Sequence, residues 1–113
     1  MEVKHLNEGA WLEADTEEAG PVKLKIRYIS YHEAVLFRKL KDEEASLENI
    51  ENLIIDWNLT DGGKRVKCDH DNKVRYVPYL LGMTLKAGKG ETEQSLGQAI
   101  VRFAIDTRNF TKN

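Results

Sequence analysis

From Val22 to Tyr28 the chain alternates strictly. Val22, Leu24, Ile26 and Tyr28 are apolar, and Lys23, Lys25 and Arg27 between them are cationic. Period two is the signature of a strand with one buried and one wet face. Upstream, Asn7-Glu8-Gly9 reads as a turn that launches a second strand through Ala10, Trp11, Leu12, Glu13 and Ala14. The acidic run Asp15 to Ala19, closed by Gly20-Pro21, is the connection, because a Gly-Pro pair suits a turn better than either regular element. The two runs predict a β-hairpin over 9–30, too small to stand alone and in need of a helix against its apolar face.

Beyond Ile29 the period becomes helical. Ser30 and Glu33 form a capping box, with Ile29 placed as a hydrophobic staple, and the helix they open runs through Ala34, Val35, Leu36, Phe37, Arg38 and Leu40. Ser46 caps a second helix, in which Leu47, Ile50, Leu53, Ile54 and Trp57 recur at steps of three and four. Asn58, Asp61, Gly62 and Gly63 end it, which places Trp57 in the last turn. Trp57 is expected to be buried, and the turn at 61–63 to hold a residue at positive φ.

Asp69 and Asn72 give an Asx-type start to a helical turn after a short basic run at 64–67. Pro78 must interrupt that turn, and it suits the first turn of another short helix crowded with Tyr79, Leu80, Leu81, Met83 and Leu85. Lys86 to Gly90 reads as a flexible loop. Thr92 is then expected to cap a last helix, with Leu96, Ile100, Phe103, Thr107 and Phe110 along one stripe. Gly97, Ala99 and Ala104 keep its flanks thin, so another helix can approach closely. The fold class expected is α+β, mainly α: a single domain over 1–113 with a mobile tail at 1–8, the hairpin at 9–30, and a small bundle of four or five helices over 31–113.

Composition narrows the function more by subtraction than by signal. At 113 residues there is room for one core. Charged residues make up 32% and nearly cancel, leaving a net charge of -2, which offers no global pull on nucleic acid or anionic lipid. Lys23, Lys25 and Arg27, or Lys64, Arg65 and Lys67, could contact phosphates, but an alternating charged row is normally the solvated face of a strand. No apolar run has the length of a membrane span, and the single cysteine, Cys68, has no internal disulfide partner, so the cytoplasm is the expected compartment.

Candidate chemistry is thin. Cys68-Asp69-His70-Asp71 gathers four potential ligands without the second half of a zinc motif, and reads as a helix start. Asp56 to Lys67 imitates a calcium loop, yet its glycine falls one place late and its last position is Lys67 in place of a bidentate Glu. Gly62-Gly63-Lys64 lacks the Ser or Thr of a phosphate loop, and no nucleophile stands in a supporting signature. The expectation is a protein without catalytic residues, metal or cofactor. Hydrophobic area beyond what a hairpin and one helix require points to partner binding at Tyr79, Leu80, Met83, Leu85 and Phe110, with Phe110, near the chain end, suited to docking or self-association into a homo-oligomer.

One pattern suggests a family. Gly9-Ala10-Trp11-Leu12 and the basic alternating strand Val22 to Arg27 precede an apolar helix ending in Asp56-Trp57-Asn58-Leu59, an acidic-glycine turn Asp61-Gly62-Gly63-Lys64, and a helix opening near Cys68-Asp69. This order, over residues 9–110, resembles the tail assembly chaperones of long-tailed, siphovirus-type bacteriophages and prophages. The resemblance implies a non-enzymatic factor of the host cytoplasm that coats the tape measure protein, recruits tail tube subunits and is absent from the finished virion. The alternatives are a structural virion component, such as a minor tail or head-tail connector protein, and a small nucleic-acid-binding regulator.

Overall fold

A computed structural model of the chain describes residues 8–30, 32–33, 35, 43–87, 90 and 93–111. β1 (Ala10–Thr16) and β2 (Gly20–Ile26) form the expected antiparallel hairpin, in register from Ala10 opposite Ile26 to Thr16 opposite Gly20. Alternation decides which face is dry: Ala14, Thr16, Val22, Leu24 and Ile26 are buried, while Trp11, Glu13 and Lys23 face water. The buried Thr16 hydroxyl is satisfied within the turn, accepting from the Ala19 N–H at 3.0 Å and donating to the Gly20 carbonyl at 2.8 Å. Contrary to the sequence reading, Gly20 and Pro21 belong to β2. Gly20 supplies the φ of 67° that the turn needs, and pairing with the next strand starts only at Leu24, so the missing Pro21 N–H breaks no ladder bond there.

The segment expected as one helix ending at Trp57 is divided. A helix, α1 (Glu43–Leu53), gives way directly to β3 (Ile54–Trp57), which adds to β2 and completes a sheet of order β1-β2-β3. Leu24 faces Trp57, Lys25 faces Asp56 and Ile26 faces Ile54, so Ile55 is an extra, bulged residue. In a regular strand, side chains three positions apart point to opposite faces. The bulge cancels that parity and turns both Ile54 and Trp57 inward, each fully buried, while Ile55 is exposed. A spacing of three within a strand therefore imitates helical period. Trp57 is buried as expected, though in a strand.

The glycine turn also works differently from a helix exit. Gly62 and Gly63, at φ 58° and 83°, are the tight turn of a second hairpin between β4 (Thr60–Asp61) and β5 (Lys64–Arg65). Positive φ at both central residues is the sign pattern of a type I′ turn, which glycine meets without steric cost.

Asp69 caps the next helix as expected, its carboxylate accepting from the Asn72 N–H at 3.0 Å. That helix, α2 (His70–Leu81), runs uninterrupted through Pro78. The carbonyl that loses its partner is that of Val74, on the exposed side of the helix, where water can replace the missing donor. Residues 83–85 leave the helix and run extended. Glu17 N–H donates to Thr84 O at 2.9 Å and Lys86 N–H to Asp15 O at 2.9 Å, while Leu85 N–H donates to Gln94 O at 2.9 Å on the other side.

The last helix, α3 (Leu96–Ile105), is capped by Ser95 with a full capping box to Gln98, so it starts later than a Thr92 cap implies. A 3-10 turn follows at Thr107–Asn109. α3 packs on α1, α2 and the β1–β2 hairpin, burying Leu96, Ile100 and Ala104 against Val22, Leu24, Leu53, Trp57, Val77 and Leu80. The thin flank has a concrete role: a Cβ on Gly97 would sit 3.4 Å from Leu81.

The class α+β holds, but the bundle of four or five helices does not. Among the described residues there are three α-helices, a three-stranded sheet and a two-stranded sheet. Part of the apolar pattern assigned to helix belongs to β3, and the Pro78 helix merges into α2. Ser30 Oγ accepts from the Glu33 N–H at 3.2 Å, as a cap would, and His32, Glu33 and Val35 are helical, while the rest of the helix expected through Leu40 lies outside the described residues. So do residues 1–7 of the tail expected at 1–8 and the centre of the Lys86–Gly90 loop.

Candidate functional site

The small β4–β5 hairpin is fastened to the main sheet by two side chains. The Trp57 indole donates to the Val66 carbonyl at 2.7 Å. The Arg65 guanidinium reaches the Asp56 carboxylate at 2.8 Å and the Trp57 carbonyl at 3.0 Å. Burial raises the Asp56 carboxyl, but the Trp57 N–H, Arg65 and Lys25 outweigh it and hold the group below its ordinary range. Val66 N–H donates to Leu59 O at 2.9 Å, extending the hairpin by one apolar pair beyond its named strands.

That pair faces α2. Leu59 and Val66 on the hairpin, and Tyr76, Tyr79 and Leu80 on the helix, line an open groove of about 350 Å³ with Met83 at its end and Thr60 at its lip. Its walls are mostly hydrocarbon and ring. Leu80 belongs to the floor and is 3% exposed, whereas Tyr79 stands 74% exposed on the same helix, with Val74 exposed five residues earlier. Arg75 lies over the Tyr76 ring at 5.5 Å.

Of the five residues expected to bind partners, the groove unites Tyr79, Leu80 and Met83. Leu85 is directed elsewhere, lining a polar depression with Lys86, Gln94 and Arg102. Phe110 is corrected outright. It is 1% exposed, edge-on to Tyr28 at 5.4 Å and to Phe103 at 5.6 Å. The 3-10 turn after α3 folds the chain back, and Asn109 Nδ2, donating to Phe103 O at 3.0 Å, holds it there. Leu80, too, meets a partner only with its small exposed fraction. Leu59, Val66 and Tyr76 escaped the sequence reading. Leu59 and Val66 stand symmetrically about Gly62-Gly63, so a hairpin reading of that turn would have paired them.

The opposite face of the main sheet carries Trp11, 44% exposed, among Glu13, Lys23 and Lys25. Its charges are largely matched: Lys23 lies 3.4 Å from Glu13, and Arg27 lies 3.8 Å from Glu33. Burial pushes the Cys68 thiol up, which keeps it protonated at neutral pH and makes it a poor nucleophile. Among the described residues no three His, Cys, Asp or Glu side chains converge as metal ligands must, and no helix is long and apolar enough to cross a membrane. No family model, curated protein or solved structure matches the chain.

Proposed function

We propose that the chain is a non-enzymatic tail assembly chaperone of a phage or prophage. In the host cytoplasm it would take an apolar segment of the tape measure protein into the groove between α2 and the β4–β5 hairpin, and recruit tail tube subunits. The observation that supports this reading is the groove itself, an apolar trough whose most prominent side chain, Tyr79, is held in water. A ring fixed on a helix offers contact area at little cost in conformational entropy, and such rings dominate binding energy where they are covered. Grooves with an apolar floor are also the usual seat of amphipathic helices. The walls are stiff, one a helix and the other a hairpin tied down through Trp57 and Arg65.

Co-expression with the tape measure protein of the same phage or prophage tests the reading. A soluble complex, together with absence of this chain from purified particles, is the expected result. Retention in particles would make it a minor tail or head-tail connector component. Steeply salt-dependent DNA binding without tape measure binding would make it a nucleic-acid-binding regulator.

A further inference from the structure

The charges around the groove are uneven, and that unevenness describes the partner segment. In the hairpin, Leu59 with Val66 and Asp61 with Lys64 are alternate cross-strand pairs, so Asp61 and Lys64 continue the face that forms the groove wall. On α2, Arg75 lies against the Tyr76 ring and one helical turn before Tyr79, and Lys73 lies one turn before Tyr76. Lys64 and Arg75 are exposed. Among the described residues none of Lys64, Lys73 and Arg75 lies within ion-pair distance of a carboxylate.

The nearby carboxylates are committed or distant. Asp56 is held by Arg65, and Asp15 pairs with Lys86 at 3.7 Å. Glu18 accepts from the Thr84 N–H. Asp69 caps α2, and Asp71 sits in the first turn, away from the Tyr79–Met83 end. Lys64 and Arg75 thus border the groove against one uncommitted carboxylate, Asp61, while Lys73 and Asp71 stand together near the start of α2, although the chain as a whole is acidic at -2.

We infer that the groove selects an amphipathic helix of the partner whose apolar stripe is bordered by Asp or Glu, the carboxylates lying over Lys64 and Arg75. This rests on the groove being the docking site and adds the chemistry of what docks. A helix fits better than a strand because the walls present side chains across a trough.

The test uses the full chain and two synthetic helical peptides with the same apolar stripe, one flanked by glutamates and the other by lysines. The glutamate peptide is expected to bind at least about tenfold tighter at low ionic strength, with the ratio shrinking as salt is added. The preference should invert in a Lys64→Glu/Arg75→Glu double variant that keeps its unfolding midpoint. Equal binding of the two peptides, both lost in Tyr79→Asp, would overturn the charge inference and leave groove docking standing. Binding of neither peptide, or displacement of the glutamate peptide by an oligothymidylate, would also overturn the inference. Co-purification with the tape measure protein decides the functional reading independently of these outcomes.

Discussion

The Trp57 indole N–H and the Val66 carbonyl, 2.7 Å apart, join the core of the main sheet to the wall of the groove. Trp57 is fully buried, so the bond is shielded from water and the hairpin carrying Leu59 and Val66 is positioned by the same ring that fills the core. Trp57→Ala should destabilise the fold by about 3–5 kcal/mol in chemical denaturation. Trp57→Phe keeps most of the packing but orphans the Val66 carbonyl. It should cost about 1–3 kcal/mol and speed amide exchange in β4 and β5 more than in β1 and β2.

Glycines at positive φ differ in what surrounds them. Gly9, at φ 81°, leaves no room: a Cβ there would lie 2.7 Å from the Ile26 carbonyl oxygen and 2.7 Å from Ile55. Gly62, at φ 58°, opens onto empty space. Gly9→Ala should therefore cost about 2 kcal/mol or more, combining strain with overpacking, and Gly62→Ala about 1 kcal/mol from conformation alone. Unfolding midpoints of the two variants, compared in one denaturant, check the order.

Acid should loosen the hold of the β1–β2 turn on the segment that follows α2. The Glu18 carboxylate accepts from the Thr84 N–H at 2.8 and 3.1 Å, and that bond holds its pKa below the ordinary value. A lowered folded-state pKa means the contribution is fully present above the unfolded value and is lost as pH falls through the folded one. Asp106, held low by its bonds from the Arg108 side chain and backbone, acts in the same direction at the end of α3. The Thr84 amide resonance should shift with Glu18 protonation in an NMR titration, and Glu18→Gln should remove that titration. A Thr84 amide that does not respond would contradict the linkage.

Some of this architecture was legible and some was hidden for definite reasons. The Val22–Ile26 alternation and the Asp69–Asn72 cap are local signals, and the structure keeps both. The α1-to-β3 switch is hidden because the Ile55 bulge gives a strand the spacing of a helix: Ile54 and Trp57 sit three apart and face the same way. The burial of Phe110 depends on a 3-10 turn that returns the chain onto Tyr28, a long-range contact that periodicity cannot carry. At the groove, Tyr79 and Met83 stood out by apolar content. Leu59 and Val66 did not, because their pairing exists only once Gly62-Gly63 is a hairpin turn.

Phe110, expected with Tyr79 at a partner surface, belongs instead to the core, while Tyr79 stays exposed. Phe110→Asp places a charge between Tyr28 and Phe103 and should lower stability by several kcal/mol, on the order of the cost of an unpaired buried group. Circular dichroism during urea unfolding would display the loss as an earlier midpoint.

Tyr79→Asp isolates docking in the groove, because the side chain is exposed and contributes little to the fold. Wild-type chain and variant, matched for unfolding midpoint to within about 0.5 kcal/mol, would be titrated against the tape measure protein in its co-expressed soluble form. The variant should fold normally and lose most of its affinity. A variant that binds as tightly as wild type would contradict the groove as the site of docking.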